Sequence, residues 1–117
     1  MGTRVLRADE IRAAAWETGF RVNRMAGVLG LDTRTFQRLC EQQLFASPKA
    51  WILEERMMAA LPLLAQQLPN KDVAERLCYR HQSSFCREFR HYFGCAPQLF
   101  ARQRILTRAN EPFVAFG

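Results

Sequence analysis

The sequence has no hydrophobic run long enough to cross a bilayer. The longest, Met57 to Ala65, is nine residues and contains Pro62, against the ~20 that a spanning helix needs. The first dozen residues hold no apolar signal core, and position 6 is Leu where a myristoylation signal needs Ser or Thr. These absences lead to the expectation of a cytoplasmic, nucleoid-associated protein with no membrane partner. Cys40, Cys78, Cys86 and Cys95 contain no Cys-x-x-Cys pair, which favours free thiols in a reducing compartment over a disulfide frame. A Gly-rich phosphate loop, paired carboxylates in an apolar setting and a nucleophile elbow are all missing, so the chain is not expected to be an enzyme. Cys78, His81, Cys86, His91 and Cys95 lie close in sequence, but their spacing fits no known zinc pattern; neither a metal nor another cofactor is expected.

Lysine is scarce as well. Fifteen of the seventeen cations are Arg, and the guanidinium fork suits phosphate and guanine edges better than a point charge does. Acids are nearly missing from one stretch: residues 76–108 carry seven Arg against Glu88 alone, whereas residues 1–75 carry ten cations and nine acids. A local basic stretch in neutral surroundings points to nucleic acid ahead of an anionic membrane or a merely solvated face. With 117 residues and 49% apolar content, the chain can bury about two-thirds of its unfolded surface, enough for one domain or two small ones without staples.

One pattern occurs twice. Ala26-x3-Gly30, Phe36-x-Arg38-x-Cys40 and Ser47-Pro48 return as Ala74-x3-Cys78, Phe85-x-Arg87-x-Phe89 and Ala96-Pro97, a duplicated supersecondary unit. In the first copy Val22, Met25, Ala26 and Leu29 follow helical spacing up to Gly30, a residue suited to a left-handed C-cap. Asp32 then caps a second helix to about Gln43, with Phe36 and Cys40 inward and Arg34, Gln37, Arg38 and Glu41 outward. In the second copy Val73, Ala74 and Leu77 form the first helix and residues 78–81 the turn. Residues 82–93 form the second helix, with Phe85, Phe89 and Phe93 inward and Gln82, Ser83, Arg87 and Arg90 outward. Each copy reads as a helix-turn-helix. Between them, Ser47 caps and Pro48 opens a long helix carrying Trp51, Ile52, Glu55, Met57, Ala60 and Leu64. Flanking helices are expected over Asp9–Thr18, ended by Gly19, and from Pro97 to about Thr107. No period-two run suggests a strand.

These residues carry a resemblance. Leu29-Gly30, Phe36-Gln37-Arg38, Ser47-Pro48, Arg56-x3-Ala60, Val73-Ala74, Gln82-Ser83-x-Phe85-x-Arg87-x-Phe89-Arg90 and Gly94-x-x-Pro97 resemble the DNA-binding domain of the AraC/XylS class of bacterial transcription regulators over about residues 8–105. The resemblance implies an all-α fold of about seven helices, two homeodomain-like helix-turn-helix subdomains joined by a linker helix. The expected boundaries are 1–47 for the first subdomain, 48–67 for the linker, 68–108 for the second and 109–117 for a tail. It implies sequence-specific binding of double-stranded DNA, with the second helix of each unit in successive major grooves, one copy of the chain per site, and RNA polymerase as a further partner. Arg34, Gln37, Arg38, Gln82, Ser83 and Arg87 fall at base-facing positions. Thr33, Thr35, Arg80, Ser84, Arg90, Arg102 and Arg104 fall at phosphate-facing ones.

Several positions depart from the family pattern. Cys40 stands where Phe is usual and Phe45 where Gly is usual, so a lost ring and a gained one are expected to offset each other in volume. Cys78 replaces the turn Gly, which predicts a strained or reshaped turn. Pro62 predicts a kink near residues 58–62. A sensing domain, common beside this one, has no room in 117 residues, so a stand-alone domain is expected. Arg56 reads as an ion-pair or capping partner in the linker, and Trp16 and Trp51 as core or interface. The reading from a different class is a protein-interaction module of the same fold that modulates another regulator; such a module has no reason to keep Arg on its reading faces.

Overall fold

The computed structural model describes residues 4–110, with side chains through Gln103. Among the described residues there are seven helices and no strand: α1 (Ala8–Thr18), α2 (Val22–Val28), α3 (Thr33–Gln43), α4 (Pro48–Ala65), α5 (Asn70–Arg76), α6 (Gln82–Phe93) and α7 (Pro97–Asn110). The chain forms two compact units, Met1–Arg56 and Met57–Gly117, so α4 gives its first half to one and its second half to the other.

Helix boundaries follow from local chemistry. Glu10 accepts a hydrogen bond from the Arg7 amide at the start of α1, and Gly19 ends it in the left-handed region at φ 70°. Asp32 accepts from the Thr35 amide at 2.7 Å and so caps α3. Ser47 accepts from the Ala50 amide at 3.1 Å, just ahead of Pro48 in the first turn of α4.

In the first unit Ile11, Ala14 and Ala15 of α1, Met25 and Ala26 of α2 and Phe36, Leu39 and Cys40 of α3 share one buried cluster with Leu6, Phe20, Leu29 and Ile52. Trp51 packs against it, half-buried. Glu55 of α4 accepts from Arg12 at 2.7 Å and from the Trp16 indole at 3.4 Å, tying α4 to α1. Arg56 donates to the Gly19 carbonyl at the end of α1, and its guanidinium lies 4.6 Å from the centroid of Phe20. In the second unit Met57, Ala60, Leu64, Val73, Leu77, Phe85, Phe89 and Ala101 are buried. Phe89 is its centre, edge-on or tilted to Phe85, Phe93 and Phe100. Phe93 is only half-buried, beside the more exposed Tyr92.

The duplication is visible in the hydrogen bonds themselves. In the first turn Leu29, Gly30 and Leu31 donate to the carbonyls of Met25, Gly27 and Ala26; in the second, Leu77, Cys78 and Tyr79 donate to those of Val73, Glu75 and Ala74. Gly30 stands at φ 74° and Cys78 at φ 64°. The turn is therefore not reshaped: cysteine adopts the glycine conformation, and the strain is retained.

One expectation needs correction. Phe45 does not fill the space beside Cys40: it is 90% exposed, at φ 58°, while Cys40 is buried. The left-handed backbone after α3 turns the ring to solvent, and its counterpart after α6 is Gly94 at φ 81°. Helix α4 runs without a break through Pro62 to Ala65. Pro62 lies in the last turn, and the bond it cannot make belongs to the carbonyl of Met58, an exposed residue that water can reach.

Candidate nucleic-acid interface

Helix α3 is amphipathic because Phe36, Leu39 and Cys40 recur at helical spacing and are drawn into the first core. That burial forces Arg34, Gln37, Arg38 and Glu41 outward, and all four are exposed. Arg34, Thr35, Gln37 and Arg38 line one shallow concavity with Asp32 and Glu41. Thr33 is exposed at the start of the helix, and Thr35 is half-buried. The bonds from Thr35 hold the Asp32 carboxyl below its ordinary value, so it is ionised near neutral pH. Asp32 and Glu41 therefore balance Arg34 and Arg38, leaving the face close to neutral.

Helix α6 is built the same way and charged differently. Phe85 and Phe89 anchor it, leaving Gln82, Ser83, Arg87 and Arg90 exposed and Ser84 half-buried. The one acid of the helix, Glu88, is turned to the Tyr79 hydroxyl. Ser83, Arg87 and Arg90 line a concavity with Cys86 and His91, with no carboxylate among them. Arg80 is exposed in the turn and Arg102 is exposed on α7. Neither of them lines this concavity, nor does Gln82. The side chain of Arg104 lies outside the described residues. Burial raises the Cys86 thiol, and Asn70, 3.5 Å from its sulfur, opposes the shift. Among the described residues no group of three or more His, Cys, Asp or Glu is placed to hold a metal ion, and none of the four cysteines forms a disulfide.

Comparison with known proteins gives this geometry a family. The helix-turn-helix domain family matches residues 25–103. The chain is 31% identical over 90 residues to the virulence regulon transcriptional activator VirF of Yersinia enterocolitica, covering 76% of this chain and 33% of that protein. The thermoregulatory protein LcrF of Yersinia pestis gives the same figures, 31% over 90 residues. The HTH-type transcriptional regulator ExsA of Pseudomonas aeruginosa is 35% identical over 83 residues, covering 70% of this chain and 30% of ExsA. The chain belongs to the AraC/XylS family.

As an AraC/XylS member it shares the helix-turn-helix domain of bacterial DNA-binding transcription regulators. It spans about a third of the length of the relatives it matches, and no solved structure matches it. No described helix is long and apolar enough to cross a membrane. Sequence reasoning missed Cys86 and His91 in the α6 concavity; in that of α3 it placed Glu41 on the outward face and Asp32 at the cap without counting their charge against the arginines. The signal was present: 83, 86, 87, 90 and 91 follow the i, i+3, i+4, i+7, i+8 spacing of one helical face.

Proposed function

We propose that this chain is a sequence-specific regulator that reads double-stranded DNA with α3 and α6 in successive major grooves. The supporting observation is that both second helices of the duplicated unit carry exposed Arg and Gln on the face opposite their buried aromatics. An α-helix fits the major groove, Arg can donate twice to guanine O6 and N7, and Gln can pair with adenine N6 and N7. On this reading Arg34, Gln37, Arg38, Gln82, Ser83 and Arg87 face bases. Thr33, Thr35, Arg80, Ser84, Arg90, Arg102 and Arg104 hold phosphates and fix register without sequence preference.

Two reading helices on one chain suit an asymmetric site with half-motifs about 34 Å apart, bound by a monomer. The subdomains 1–47 and 68–108 each supply one reading helix, with residues 48–67 as linker and 109–117 as tail. Regulation of transcription, contact with RNA polymerase and residence in the cytoplasm with the nucleoid belong to the same proposal. Selection of bound duplexes from a random pool tests it. The expected product is a site with two conserved half-motifs one helical turn apart; recovery of no enriched sequence overturns it.

A further inference from the structure

We propose that Gln43 is a positioning residue for the first reading helix, acting through a strap formed by residues 4–7. This rests on the DNA-reading role of α3 proposed above. Gln43 is the last residue of α3. Its Oε1 accepts from the Leu6 amide at 2.7 Å, and its Nε2 donates to the Arg4 carbonyl at 2.6 Å. The carboxamide thus pairs with extended backbone as a neighbouring strand would, 37 and 39 residues away in sequence.

The strap also reaches the turn that leads into α3. The Arg4 guanidinium donates to the carbonyl of Leu29, which closes α2 and leads through Gly30 and Leu31 to Asp32, the cap of α3. The same guanidinium lies 3.5 Å from Glu10, whose other oxygen holds the Arg7 amide at 3.1 Å. Between these anchors Leu6 is buried in the first core. The C-terminal end of the reading helix is therefore tied directly to one short segment, which also holds the end of α2 three residues ahead of the Asp32 cap and is itself tied to the first turn of α1. Among the described residues nothing equivalent holds the end of α6: the residue in the place of Gln43 is Tyr92, which is exposed and touches Phe93.

The test compares Gln43→Met, which keeps length and helix propensity but makes neither hydrogen bond, with Gln43→Glu, which keeps the acceptor for Leu6 and loses the donor to Arg4. Two such bonds correspond to a factor of about 30 in the strap's docking equilibrium. Amide exchange in the full chain is expected to speed up in Gln43→Met by up to about 30-fold at Leu6 and also at Leu31 and Thr35, with α5 and α6 unchanged and Gln43→Glu intermediate. Affinity for the selected duplex is expected to fall by up to the same factor, about 30, and to stay unchanged on a duplex whose α3 half-motif is scrambled. A freed Leu6 with Leu31 and Thr35 still protected overturns the proposal, as does an equal affinity loss on both duplexes. Should the unmodified chain select no duplex, DNA reading fails by itself, and the exchange comparison still decides whether the strap holds α3.

Discussion

Replacing Cys78 with glycine stabilises the second unit, because one residue there carries a backbone penalty that its counterpart avoids. Cys78 at φ 64° makes the same turn hydrogen bonds as Gly30 at φ 74°. An L residue in the left-handed region costs about 1–2 kcal/mol, and glycine returns about 0.4–1 kcal/mol of that through its freer unfolded state. The difference is a gain of about 0.5–1 kcal/mol. The Cys78 side chain is exposed, so no buried cavity is left behind. The reverse change, Gly30→Ala, is expected to cost about the same 0.5–1 kcal/mol, purely from the backbone, because an added Cβ meets nothing within 4 Å. Urea denaturation reads both. With a slope near 1 kcal/mol per molar for so small a unit, the midpoint moves by about 0.5–1 M. Both tryptophans, Trp16 and Trp51, lie in the first unit, so indole emission follows Gly30→Ala while far-UV circular dichroism follows Cys78→Gly. A Cys78→Gly chain no more stable than the parent, measured beside a destabilised Gly30→Ala, refutes the strain argument for the second turn.

Other outcomes follow from the same structure. Arg87→Ala is expected to cost about 1–3 kcal/mol at particular bases, whereas Arg102→Ala weakens all sequences alike and lowers the salt slope by about one; equal losses on every duplex from both changes reject Arg87 as a base reader. Asp32, whose bonds from Thr35 hold its carboxyl below the ordinary 3.8, lends the first unit stability that is present above pH 3.8 and lost as pH falls through the depressed value. Acid titration of indole emission is expected to show this loss in the parent and not in Asp32→Asn. Burial, and after it Glu41, pushes the Cys40 thiol up to about 11. First-unit stability is thus complete below the ordinary thiol value of 9 and declines as pH rises toward 11. A thiol reagent near neutral pH is expected to modify exposed Cys78 first and to reach Cys40 only on unfolding; rapid labelling of Cys40 in the folded chain contradicts its burial.

The helices were legible because their signals are local. Glycine at 19 and 30, Asp32 and Ser47-Pro48 fix the ends, and the spacing of Phe36, Cys40, Phe85 and Phe89 fixes the faces. Volume exchange between Cys40 and Phe45 failed because it counted atoms and ignored backbone direction: φ 58° sends the ring outward. Pro62 does not end α4, because it lies in the final turn, where the missing donor matters least. Long-range contacts left no mark in the sequence. Gln43 looks like any polar residue at a helix end, yet it holds residues 4 and 6. Glu55 joins Arg12 and Trp16 from 43 and 39 residues away. The α6 concavity was half legible, with its arginines identified and Cys86 and His91 overlooked on the same helical spacing.

Hydroxyl-radical footprinting of the full chain on a selected duplex, with stoichiometry fixed by analytical ultracentrifugation, tests the two-groove reading most directly. The expected record is one chain per duplex protecting two backbone patches on one face, about 34 Å apart, with only the patch next to the α6 half-motif weakened by Arg87→Ala. A single protected patch, or two patches that appear only when two chains bind, contradicts it.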